Sequence, residues 1–166
     1  NEWQKTRKAR TEHDISSRAR AYKSFFQALI DELREKHHFT GARAGQPQNW
    51  YCFSSGIGGI SYCTSFTQGK RVRAEVNIDL GDKQANEDWF NELYKDKSTI
   101  ESKFGEKLSW EFLEDKRSCR IAIYRNGSIE STPDELKEIR HWFVEKLFTL
   151  NNVFRDRIKA IKKSES

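Results

Sequence analysis

Arg71-Val72-Arg73-Ala74-Glu75-Val76-Asn77-Ile78-Asp79 alternates without a break, with Val72, Ala74, Val76 and Ile78 on one side and Arg71, Arg73, Glu75, Asn77 and Asp79 on the other. Strict period two marks a β-strand with one buried and one wet face, as in an antiparallel sheet covered on one side only. Gln68-Gly69 just before it reads as a hairpin turn, which makes residues 60–66 its antiparallel partner. Upstream again, Ser54, Ser55, Gly56, Gly58 and Gly59 form a turn after a first strand at 50–53.

Outside this three-strand group the apolar spacing changes to three and four. Tyr22, Phe25, Phe26, Leu29, Ile30 and Leu33 predict an amphipathic helix from about Asp14 or Ser16 to Lys36. A loop with Gly41, Gly45 and Pro47 follows it. After the strands, Trp89, Phe90, Leu93, Ile100 and Phe104 predict a second helix over about 84–104, with Gly105 as its left-handed C-terminal residue. Two more strands, 108–113 and 119–124, are joined by the polar turn Glu114-Asp115-Lys116-Arg117, with Trp110, Phe112, Ile121 and Ile123 toward the core. Thr132-Pro133-Asp134-Glu135 then carries a capping residue, Pro at the first helical position and Glu at the third. That start opens a long last helix to about residue 163 whose stripe includes Leu147, Leu150, Phe154, Ile158 and Ile161. The expected fold is α+β in the order helix, three strands, helix, two strands, helix. Its five-stranded sheet is mostly antiparallel, with helices packed on one face. Residues 1–13 are read as a basic tail or linker and 14–163 as one α+β domain.

The 166 residues are enough for one domain with a real core, and 36% hydrophobic content with 33% charge describes a folded, water-soluble chain. No apolar run is long enough to span a membrane, and the charged N-terminus has no signal-peptide core. Met is absent, initiator included, so the chain reads as excised from a longer protein. Cys52, Cys63 and Cys119 lie in strand-like segments without metal spacing. They are expected to be buried, reduced thiols, in keeping with a reducing cytoplasm. The net charge of +5 sits at the ends: residues 1–20 carry six Lys and Arg against three acids, 155–166 five against two, and 21–154 are near balance at 19 against 20. Basic ends and local clusters, rather than a globally basic face, are therefore the candidates for phosphate contact.

The ordered set Trp50-Tyr51-Cys52-Phe53-Ser54-Ser55-Gly56, Ile100-Glu101 before Phe104-Gly105, Leu108-Ser109-Trp110-Glu111, Arg120-Ile121 and Trp142 with Val153-Phe154 resembles the bacterial and archaeal domain-of-unknown-function 4268 family, over about residues 18–160. The resemblance implies a module at the C-terminal end of larger prokaryotic proteins, some with nuclease-like segments upstream and some linked to defence. It brings no catalytic residues.

A restriction-type nuclease needs an acid on one strand and an acid-x-Lys on the next, to hold a metal and position water. Glu75-Val76-Asn77 has Asn where Lys is required, Glu114-Asp115-Lys116 falls in a turn, and Glu135-Leu136-Lys137 at a helix start. His37 and His38 end the first helix, His13 lies in the tail and His141 on the wet side of the last helix, so no metal-ligand set forms. The Ser54–Gly59 turn lacks the Lys-Ser/Thr of a phosphate-binding loop. No cofactor, metal or catalytic residue is assigned.

The wet sheet face is the candidate site. Arg71, Arg73, Arg120 and Tyr124 would share it, joined by Tyr51 and by Lys70 at the turn. Arginines with an aromatic on an open sheet suit base stacking and phosphate contact. The competing reading is that Arg73 with Glu75 and Arg120 with Glu111 merely solvate the sheet. The expected function is a non-catalytic nucleic-acid-binding or targeting module of a larger nuclease- or defence-type protein. The expected partners are DNA or RNA and an upstream domain of the same polypeptide. The alternative is a protein–protein or homo-oligomerisation module on the last helix, which predicts an exposed apolar strip near Leu150, Phe154 and Ile158. A nuclease with its own metal site is the third reading.

Overall fold

The computed structural model describes residues 1–113 and 117–165. The alternating segments become five strands: β1 (Trp50–Ser54), β2 (Ile60–Thr67), β3 (Arg71–Ile78), β4 (Ser109–Phe112) and β5 (Cys119–Asn126). All neighbours pair antiparallel, in the order β1-β2-β3-β5-β4. The strand with the cleanest alternation is thus the middle one. Val72, Ala74, Val76 and Ile78 are fully buried on one face of it. The expected turn at Glu114-Asp115-Lys116 lies outside the described residues.

Four helices supply the cover: α1 (Glu2–Glu35), α2 (Lys83–Tyr94), α3 (Lys97–Phe104) and α4 (Pro133–Ser164). They pack on the apolar face, α4 against β2 and β3 and α2 against β3, β4 and β5. Phe26, Leu29, Leu33, Phe143, Leu147 and Phe154 meet the sheet residues there in one cluster. Among the described residues, no helix packs on the opposite face.

α4 starts as its sequence demands, with the Thr132 hydroxyl accepting from Glu135 N and the Glu135 carboxylate accepting from Thr132 N, both at 3.3 Å. Gly105 likewise ends α3 at φ +92°. Three elements depart from expectation. α1 begins at Glu2 rather than near Asp14, because Asn1 and Gln4 form a capping box and Glu, Gln, Lys, Arg and Ala favour helix without an apolar face. Residues 2–16 of that helix are exposed throughout, so hydrophobic periodicity could not register them. The single helix over 84–104 is two, broken at Lys95 and Asp96, where Asp96 N bonds Leu93 O and its carboxylate accepts from Arg157 of α4 at 2.8 Å. Leu150, Phe154 and Ile158 are at most 1% exposed, so the strip expected on the outside of α4 is core.

The cysteine expectation is also corrected. Cys52 and Cys63 stand directly opposite one another on β1 and β2 and form a disulfide; only Cys119 is a free, buried thiol. Eleven residues of separation conceal a pairing that follows from strand register. Burial, helped by Glu87, pushes the Cys119 thiol pKa up.

Among the described residues, no helix is long and apolar enough to cross a membrane.

Candidate functional site

Strand register assembles the open face row by row. Trp50, Ser65, Arg73 and Tyr124 stand side by side across β1, β2, β3 and β5. The next row is Cys52, Cys63, Glu75 and Ala122, with Ser109 at the β4 edge, and the one after is Ser54, Ser61, Asn77, Arg120 and Glu111. Trp50, Ser65, Arg73 and Tyr124 of the first row and Cys52, Cys63 and Glu75 of the second line a hollow of about 560 Å³, with Arg71, Arg120 and Gln68 among the other lining residues.

The side chains in it are paired unevenly. Arg73 Nε donates to Glu75 Oε1 at 2.8 Å, and both residues are largely buried although no helix covers them. Tyr124 donates its hydroxyl to Glu111 Oε2 at 2.6 Å, and Arg120 Nε lies 3.2 Å from Glu111 Oε1. Arg71 has no carboxylate partner among the described residues; its guanidinium lies over the Tyr124 ring, 4.3 Å from the centroid. That cation–π contact holds the charge at the rim of the hollow without neutralising it.

The electrostatics follow from burial and neighbours. Burial alone would lower the Arg73 pKa, but Glu75 and Tyr124 outweigh it and the pKa is raised. Tyr124 is raised by burial and by its bond to Glu111, against the pull of Arg73. Three guanidiniums therefore face one lining carboxylate, Glu75, with Glu111 behind. Among the described residues, no group of three or more His, Cys, Asp and Glu could hold a metal ion. The arrangement can take an anion and stack a planar ring.

Of the residues expected here, Arg71, Arg73, Arg120 and Tyr124 are brought together. Tyr51 is not: it opposes Thr64 on the helix-covered face and packs near Phe26 and Phe53. Lys70 sits in the β2–β3 turn at φ +54° and lines a separate depression with Arg125, Asn126 and Gly127. Trp50 was missed although it is 45% exposed and lines the hollow. The signal was available in β1, since Phe53 is a core residue and period two puts Tyr51 with it and Trp50 opposite.

No curated protein matches the chain. One solved structure, that of YbjN, a candidate transcription regulator from E. coli, covers 68% of this chain and 78% of its own at 8% identity and a TM-score of 0.43, a likeness too slight to bear on fold or function. A family model described as a domain of unknown function (DUF4268) matches residues 21–158, and the chain belongs to that family.

Proposed function

We propose that this domain is a non-catalytic nucleic-acid-binding module, which targets a larger nuclease- or defence-type protein through its open sheet face. The observation that carries the reading is the Arg71 guanidinium, without a carboxylate partner among the described residues, lining the hollow with Arg73 and Arg120 beside the aromatic rings of Trp50 and Tyr124. Guanidiniums bind phosphate bidentately, and an exposed indole is a platform for a base. The exposed first half of α1, with Lys5, Arg7, Lys8 and Arg10, would add salt-sensitive backbone attraction. The rival reading, an oligomerisation surface on α4, loses its support with the burial of Leu150, Phe154 and Ile158.

Fluorescence anisotropy with labelled single- and double-stranded DNA and RNA, at about 50 and 200 mM salt, tests the reading. Arg71→Ala/Arg73→Ala is expected to weaken binding about tenfold or more, as loss of charge-assisted contacts should. A Lys5→Ala/Arg7→Ala/Lys8→Ala/Arg10→Ala form should mainly flatten the salt dependence. Binding that disappears with the α1 charges and ignores the strand arginines would overturn the proposal.

A further inference from the structure

The geometry points to guanine as the base that this face selects, with the Glu75 carboxylate as its reader; the inference rests on the nucleic-acid reading above and adds the identity of the base. Glu75 is 2% exposed on a face that no helix covers, and it is the one carboxylate in the lining of the hollow among the described residues. Burying an acid side chain is costly unless its oxygens are used. Oε1 accepts from Arg73 Nε at 2.8 Å, whereas among the described residues Oε2 accepts from the Asn77 amide alone, at 3.4 Å. A carboxylate offers roughly four acceptor positions, so Oε2 has the capacity to accept further hydrogen bonds. The other acids of the face do not line the hollow: Glu111 is engaged by Tyr124 and Arg120, and Asp79 by Arg117.

An ionised carboxylate only accepts hydrogen bonds, and this separates the bases. Guanine presents two adjacent donors, N1–H and the N2 amino group, which match a carboxylate. Adenine and cytosine set one donor beside an acceptor nitrogen, and thymine and uracil place their single N–H between two carbonyls. Each of these brings a lone pair against the second carboxylate oxygen. Trp50 supplies the stacking surface. Two strand spacings and two residues of rise separate the Trp50 and Glu75 Cα positions by about 12 Å, a span that an indole with a stacked purine can cover. Arg71, lacking a carboxylate partner, remains for the phosphate.

The test uses the intact protein and single-stranded thymidine oligonucleotides carrying one central guanine, inosine or adenine, read by anisotropy. Inosine keeps N1–H and lacks the N2 amino group. Guanine is expected to bind about tenfold tighter than inosine or adenine, the discrimination a bidentate base contact provides. Glu75→Gln should bring the guanine-to-inosine ratio close to one. Equal binding of the guanine and inosine strands by the unaltered protein would overturn guanine selection and leave the nucleic-acid reading standing; that comparison does not depend on any variant folding. A ratio that survives Glu75→Gln would remove Glu75 as the reader. No binding to any strand would remove this inference and the reading beneath it together.

Discussion

Tyr62 shows how a single side chain ties the fold to pH. It is 1% exposed on the helix-covered side of β2, and its hydroxyl has no hydrogen-bond partner among the described residues. Burial pushes its pKa up to about 12, against the pull of Arg155. The unfolded phenol titrates near 10, so the neutral form favours the native state fully below about pH 10, and that contribution is lost as pH rises through about 12. Tyr62→Phe is therefore expected to be at least as stable as the parent at pH 7, since a buried hydroxyl without a partner costs about 1 kcal/mol or more. It should also lose less stability between about pH 10 and 12. Urea midpoints across that range check both statements; a variant markedly weaker at neutral pH would mean that the hydroxyl is satisfied after all. Side-chain parity decided what else could be foreseen at this level. Arg71, Arg73, Arg120 and Tyr124 were legible because their strands alternate cleanly. Tyr51 was misplaced because β1 has aromatic residues on both faces and only the parity of Phe53 resolves it. The buried environment of Glu75 depends on neighbours from β2 and β5, which local pattern does not contain.

β1 is an edge strand of five residues, joined to the sheet by β2 alone and carrying the Trp50 rim of the hollow. The Cys52–Cys63 bond ties it down. Cross-linking positions 11 apart removes unfolded-chain freedom worth about 3 kcal/mol in the loop-entropy picture. Reduction, or Cys52→Ser/Cys63→Ser, is expected to lower the melting temperature by about 5–10 °C for a domain of this size. Cys119 should stay unalkylated by iodoacetamide in the reduced native protein, because a buried thiol with a raised pKa supplies little thiolate. Unchanged melting on reduction, with Cys119 labelling readily, would contradict this placement of the three cysteines. Elements that rest on an apolar stripe or a capping box were legible in the sequence, as α4 illustrates. The first half of α1 rests on neither burial nor a stripe, and the break between α2 and α3 is met by Arg157 from a distant helix, which donates to Asp96, so both escaped a local reading.

The whole molecule is a one-sided sandwich, four helices over one face of a sheet whose other face stays open. The order helix, strands, helix, strands, helix followed from the sequence because the periods alternate. The insertion of β5 beside β3, with β4 at the edge, did not, since strand order is set by packing across the chain. That order places Tyr124 and Arg120 beside Arg73 and Asn77. The charge map agrees with the architecture: the basic excess of residues 1–20 lies largely on the exposed arm of α1, while the sheet face concentrates arginine within a nearly balanced middle. Two surfaces could therefore attract a polyanion, the arm of α1 and the hollow of the sheet face. The measurement that separates them most directly is a map of backbone amide chemical shifts as an unlabelled single-stranded oligonucleotide is added to isotope-labelled protein. The expected result is a cluster of perturbed amides at Trp50, Ser65, Arg71, Arg73, Glu75 and Tyr124, with the indole N–H of Trp50 among the largest changes. Perturbations confined to residues 2–16 of α1, with the sheet unmoved, would contradict a binding site on the open face.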